Sequence, residues 1–150
     1  MRKAGAALAA VVIVAGCGGS GTLSKAQYQK KLKTQGGELN RAVSGLDFSH
    51  VSDLPALASK LDALQKQFDQ VAGELEDLKP PKEAAADNRK IADALHKFAG
   101  GFRRIRDAAR NGERKKIPTL LNGLATADRE GRAASNDLKA KGYDVGVFGS

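Results

Sequence analysis

The stretch from Leu54 to Leu78 constrains the fold more than any other part of this 150-residue chain. Asp53 stands where an N-cap is needed, and Pro80-Pro81 ends the pattern. Between them the apolar side chains recur at alternating steps of three and four residues, namely Leu54, Leu57, Leu61, Leu64, Phe68, Val71, Leu75 and Leu78. Such a seam of a and d positions predicts a long helix that packs against other helices.

A helix is also predicted before this seam. Ser24 and Gln27 form a capping box, in which each side chain accepts a hydrogen bond from the backbone of the other residue. The apolar positions that follow are Tyr28, Leu32, Leu39, Val43 and Leu46. Gly45 and the segment 47–50 interrupt the pattern, so the first helix is expected to end there.

Two further helices are predicted after Pro81. The third has its apolar positions at Ala84, Asn88, Ile91, Leu95, Phe98, Phe102, Ile105 and Ala109, and ends at Asn111-Gly112. The fourth starts near Ile117 and continues through Leu120, Leu124, Ala127, Gly131, Ala134 and Leu138 to Lys141-Gly142. The apolar tail from Tyr143 to Phe148 is expected to pack back on the helices.

These patterns predict an all-α fold, an antiparallel up-down four-helix bundle with short connections. Aromatic residues make up only 5% of the chain and Trp is absent, which favours Leu/Ala-packed helices over a β-sandwich. The start of the first helix, Pro80-Pro81 and the end of the fourth helix would then share one end. The alternative fold is a three-helix bundle with the first helix detached as a stalk.

The N-terminus carries the parts of an export signal. Arg2 and Lys3 precede an apolar run over 4–14, which is too short to span a bilayer as a permanent helix. Val14-Ala15-Gly16-Cys17 then resembles the lipobox of bacterial lipoprotein precursors, in which the cysteine receives diacylglycerol before cleavage. The resemblance implies a signal peptide at 1–16, a lipidated Cys17 with a flexible tether at 17–23, and a helical domain at 24–150. The alternative is an ordinary secretory signal that is cut elsewhere.

The rest of the chain resembles small helical lipoproteins of Gram-positive bacteria. The similarity lies in Leu78-Lys79-Pro80-Pro81 and in the ending Gly142-Tyr143-Asp144-Val145-Gly146. The activity of that family is not established, so the resemblance implies no catalytic residue. It implies a protein held by membrane lipid through acylated Cys17, at the extracytoplasmic face of the cell membrane. Two or more acyl chains are needed for stable anchoring.

Positive charge is concentrated near the end of the third helix. The chain has a formal net charge of +8, and removal of the signal peptide would leave +6. A candidate patch for an anionic wall polymer or a protein partner comprises Arg103, Arg104, Arg106, Arg110, Arg114, Lys115 and Lys116. The alternative is solvated surface whose cations complement the helix dipole. A second basic group, Lys25, Lys30, Lys31 and Lys33, follows the tether and would face anionic lipid. Surface solubility explains this group equally well.

No pattern in the sequence predicts catalysis, a cofactor or a metal site. His50 and His96 are expected to lie too far apart to share a metal, and no motif places a nucleophile beside a base. Nucleic acid is not an expected partner, because aromatic stacking platforms are lacking. Gly36 and Gly131 fall at similar heights on neighbouring helices, where they favour close helix contact or, alternatively, a gap for a ligand. Asn88 is expected to be partly exposed, although it could specify helix register.

We therefore expect a non-enzymatic envelope lipoprotein whose helical bundle serves in binding or scaffolding. One alternative is a ligand-binding module, either for anionic wall polymers or lipids at the basic patch, or for a small apolar molecule between the helices. A spacer with no specific ligand is the third interpretation.

Overall fold

The computed structural model describes residues 21–44 and 53–149, and every regular element in these ranges is helical. Five α-helices follow in order: α1 Lys25–Ser44, α2 Leu54–Asp77, α3 Ala85–Arg110, α4 Ile117–Asn122 and α5 Leu124–Ala140. None of the described helices is both long and apolar enough to cross a membrane. Cys17, the predicted signal peptide and His50 lie outside the described residues.

The predicted starts of the first two helices are confirmed. The backbone N–H of Ser24 donates to Gln27 Oε1 at 2.9 Å, and the N–H of Gln27 donates to Ser24 Oγ at 3.3 Å, as a capping box requires. At the start of α2, the Ala56 N–H donates to Asp53 Oδ1 at 3.0 Å. These bonds satisfy backbone donors that the first helical turn leaves without partners.

The seam of α2 forms the centre of the core, as predicted. Its six inner positions are buried, namely Leu57, Leu61, Leu64, Phe68, Val71 and Leu75. They pack on α3, where Phe68 meets Phe102 edge to face with ring centroids 5.0 Å apart. Phe98 lies 5.6 Å from the Phe68 ring and completes a three-ring cluster.

The predicted fourth helix is divided in two. α4 ends at Asn122 and α5 begins at Leu124, with Gly123 between them at φ −63° and ψ −20°. Glycine is about 1 kcal/mol worse than alanine in a helix interior, so a break occurs most easily there. A Cβ on Gly123 would lie 3.1 Å from the Leu120 carbonyl oxygen of the preceding turn.

Helix α1 is part of the core and not a detached stalk. Tyr28 and Leu32 are fully buried, and Leu39 is 6% exposed. Val43, another apolar position of this helix, is 40% exposed near its end. The tail returns to the helices as expected, with Tyr143 and Val145 buried.

The expectation that Asn88 is partly exposed was wrong. It is 2% exposed and joins three helices through its amide. Its Oδ1 accepts a hydrogen bond from the Tyr28 hydroxyl of α1 at 3.0 Å, and its Nδ2 donates to the Leu75 carbonyl of α2 at 2.6 Å. Burial raises the pKa of the Tyr28 hydroxyl, which therefore stays a donor at all physiological pH values.

A buried carboxylate with two half-exposed lysine partners lies next to Asn88. The Asp87 side chain is 3% exposed and accepts hydrogen bonds from Lys141 Nζ at 2.5 Å and from Lys90 Nζ at 3.3 Å. Lys141 Nζ also donates to the Glu83 carbonyl at 2.9 Å. These bonds tie the end of α5 to the start of α3.

Tyr143 adds a second link at the same end. Its hydroxyl donates to Glu83 Oε1 at 2.7 Å, and its ring meets Tyr28 edge to face with centroids 5.7 Å apart. Burial and the Glu83 carboxylate raise the pKa of Tyr143 to about 12. Lys25 Nζ lies 4.6 Å above the same ring, and the Leu23 N–H donates to the Lys79 carbonyl at 2.7 Å.

Two adjacent glycines of α3 should respond oppositely to alanine. A Cβ on Gly101 would fall well inside van der Waals contact with Leu124 of α5, whereas a Cβ on Gly100 would find only Arg103 Nη2, at 3.9 Å. We expect Gly100→Ala to raise the free energy of unfolding by about 0.5–1 kcal/mol through helix propensity. Gly101→Ala should lower it by about 1 kcal/mol, because overpacking outweighs that gain. Urea unfolding measures both, and equal shifts would contradict the predicted close packing of α3 on α5.

Candidate functional site

One member of the predicted basic patch, Arg106, is largely buried and bonded to acids. Arg106 is only 15% exposed and is held by Asp62 at 2.8 Å and by Asp107 at 2.9 Å. Its Nη1 also donates to Gln65 Oε1 at 2.7 Å. Hydrogen bonds from Lys66 and Arg106 lower the pKa of the Asp62 carboxyl, so this acid keeps its charge. Arg106 is therefore engaged in packing α3 against α2.

Two other members of the patch also lie near acids. Arg110 Nη2 is 3.9 Å from Asp62 Oδ1, and Lys116 Nζ is 2.6 Å from Glu113 Oε1. The remaining members, Arg103, Arg104, Arg114 and Lys115, have exposed side chains on α3 and on the 3-10 turn Arg114–Lys116. At least three of the seven cations therefore have acidic neighbours, and binding of an anionic partner by the patch stays a prediction.

An apolar cavity of about 430 Å³ lies between α1, α3, α5 and the tail. Most of its lining is aliphatic or aromatic, including Leu39, Phe98, Phe102, Leu121, Leu124 and Phe148. Exposed side chains such as Asn40 and Val43 also line it, so the cavity opens to solvent. Its volume falls within the range of small-molecule sites, about 300–1,000 Å³.

Gly36 and Gly131, paired in the sequence analysis, both line this cavity. Their close contacts differ, however. A Cβ on Gly131 would lie 3.4 Å from Ala94 Cβ, so this glycine lets α5 approach α3. A Cβ on Gly36 would lie 2.7 Å from Val147 Cγ2, so this glycine makes room for the tail.

The tail forms one wall of the cavity, a role that the sequence analysis did not predict. Val147 and Phe148 supply the lining side chains. Asp144 fixes the tail through an ion pair with Lys33 and through a hydrogen bond from the Gly146 N–H at 3.1 Å. Gly146 has φ +56°, a conformation that other residues rarely adopt, so it turns the chain towards α1.

A polar rim interrupts the apolar lining at α5. Arg132 Nε donates to both carboxylate oxygens of Asp128, at 3.0 and 2.9 Å. The buried Ser135 hydroxyl donates to the Gly131 carbonyl at 2.8 Å. The spacing of Asp128 and Arg132, four residues apart on one helix, is the sequence signal that could have identified this pair.

His96, one of the two histidines weighed as metal ligands, has acidic neighbours on α2. His96 is near two acids of α2, with Nδ1 3.2 Å from Asp69 Oδ1 and Nε2 3.4 Å from Glu76 Oε1. Across residues 21–44 and 53–149, no cluster of three or more His, Cys, Asp or Glu side chains is arranged to hold a metal ion.

No protein family model, curated protein or solved structure matches this chain.

Proposed function

We propose that this protein is a lipid-anchored, non-enzymatic envelope lipoprotein that binds a small apolar molecule inside its helical domain. The cavity between α1, α3, α5 and the tail carries the proposal. Its volume of about 430 Å³ is roughly three times that of an engineered cavity of about 150 Å³ that holds benzene. A molecule of two or three rings would bury its apolar surface there, at about 25 cal/mol per Å² removed from water.

The proposal includes an antiparallel up-down order of the long helices. Contacts between the start of α1, the segment 79–84 and the end of α5 support it, namely Leu23 with Lys79 and Lys141 with Glu83. Cys17 would leave the domain from this same end, because α1 begins at Lys25. Gly36 lies about 17 Å further along α1, at 1.5 Å per residue. The cavity would therefore stand clear of the membrane surface.

A cavity-filling substitution tests the binding proposal. Leu121 lines the cavity, whereas its neighbour Leu120 packs on the core outside it. We expect the wild-type protein to bind N-phenyl-1-naphthylamine saturably at one site, with fluorescence of the probe as the readout. Leu121→Trp should weaken binding at least tenfold, because the larger side chain occupies the site.

Leu120→Trp is the matched control, since it introduces the same side chain on the same helix. It should change the affinity by less than twofold, with both variants retaining the wild-type circular dichroism spectrum. Absence of saturable binding by the wild type, or equal losses in both variants, would contradict the binding proposal.

The anchor is tested separately through the single cysteine. Cells grown with a labelled fatty acid should label the wild-type protein and leave Cys17→Ala unlabelled, because the chain has no other thiol. Ser20→Ala controls for changes in the tether and should label normally. Equal labelling of wild type and Cys17→Ala would refute lipidation while leaving the cavity untouched.

A further inference from the structure

The charged groups that line the cavity form an ion pair with each other. Asp128 and Arg132 are the charged side chains among the described residues that line it, and they neutralise one another through two hydrogen bonds. The other polar groups of the lining, Asn40 and Ser135, are neutral. A ligand inside the cavity therefore meets no uncompensated charge from these residues.

We propose that the cavity selects uncharged ligands, an apolar body with at most one neutral polar group; this inference rests on the proposed function. An anionic ligand would have to compete with Asp128 for Arg132, and a cationic ligand would have to compete with Arg132 for Asp128. An ionic group that did neither and lay among the apolar side chains, away from the open mouth, would lose its hydration without gaining a partner, which is strongly unfavourable. A hydroxyl, ester or amide group can instead bond to the Asn40 amide at the rim.

Two fluorescent probes that share one ring skeleton but differ in charge separate the effect of ligand charge on affinity from the effect of ligand shape. N-phenyl-1-naphthylamine is neutral, and 8-anilinonaphthalene-1-sulfonate adds a sulfonate to the same three rings. Cavity binding of each probe is defined as the part that Leu121→Trp removes, which excludes binding elsewhere on this basic protein. We expect the neutral probe to bind the wild type at least tenfold more tightly than the anionic probe.

Removing the carboxylate of the Asp128–Arg132 pair should reduce the preference for the neutral probe. Asp128→Asn leaves Arg132 without that carboxylate, so the affinity for the anionic probe should rise about tenfold while the neutral probe is unaffected. Glu130→Gln is the matched control, because it removes one negative charge from α5 at a residue that does not line the cavity. It should change neither affinity by more than twofold.

The outcomes distinguish the two proposals. If neither probe shows cavity binding, the proposed function fails and the selectivity fails with it. If the anionic probe binds the wild type as tightly as the neutral one, the cavity binds ligands but does not select uncharged ones. The selectivity is also overturned if Asp128→Asn and Glu130→Gln have the same effect on the anionic probe.

Discussion

Replacing Asn88 by leucine is expected to lower the free energy of unfolding by about 2–3 kcal/mol, although leucine is similar in size and suits a helix. The Tyr28 hydroxyl is fully buried and donates to Asn88 Oδ1, so the substitution leaves this donor without its partner. A buried hydrogen-bond donor without a partner lowers the free energy of unfolding by about 1–3 kcal/mol. The Leu75 carbonyl loses a donor as well, but retains the Leu78 N–H at 3.3 Å. Urea unfolding followed by circular dichroism measures the loss.

A double-mutant cycle identifies the cause. Tyr28→Phe alone leaves Asn88 Oδ1 buried without a donor and should also destabilise the protein. In the double variant both partners are apolar, so its loss should fall short of the sum of the single losses by about 1–2 kcal/mol. Additive losses would mean that the two side chains stabilise the protein independently, which contradicts the bridge between α1 and α3.

The position of Asn88 on its helix could be predicted from the sequence, but its burial could not. The three-and-four spacing of the apolar residues predicted the long helices, and it placed Asn88 at a seam position of the third. Its burial was missed because the partner, Tyr28, lies 60 residues earlier in the chain. Short-range patterns identify which face of a helix is apolar, but they do not show which polar groups meet across helices.

The cavity was predictable only in outline. Gly36 and Gly131 could be placed at similar heights from helix rise alone, and both indeed line one cavity. The position of the tail follows instead from contacts between distant parts of the chain, such as the ion pair of Asp144 with Lys33.

Contacts between distant residues also limited the prediction of the basic patch. Seven cations are close in sequence, yet Asp62 of α2 engages Arg106 and lies near Arg110.

The ion pair of Lys141 with the buried Asp87 carboxylate gives a second large effect, and one that depends on pH. Lys141→Met removes the shorter of the two bonds to the Asp87 carboxylate, together with the bond to the Glu83 carbonyl. Hydrogen bonds to charged groups contribute about 1.5–3 kcal/mol, so a loss in that range is expected at pH 7. Lys90→Met is the matched control. Its ammonium is 3.3 Å from the carboxylate and its side chain is 56% exposed, against 2.5 Å and 40% for Lys141, which also bonds to Glu83, so the loss for Lys90→Met should be the smaller, below about 1 kcal/mol.

The pH dependence follows from the pKa of Asp87. Burial of the carboxyl raises this pKa, but the hydrogen bonds from Lys141 and Lys90 outweigh burial and hold the pKa in the folded protein below the ordinary value of 3.8. Asp87 therefore stabilises the fold above the pKa of the unfolded chain, and this contribution is lost as the pH falls through the lower folded-state pKa. Urea midpoints of wild type and Lys141→Met should accordingly differ most near neutrality and converge as the pH falls below the ordinary carboxyl pKa of 3.8. A difference that stays constant over this range would show that Lys141 stabilises the protein through its packing and its bond to Glu83, and not through the charge of Asp87.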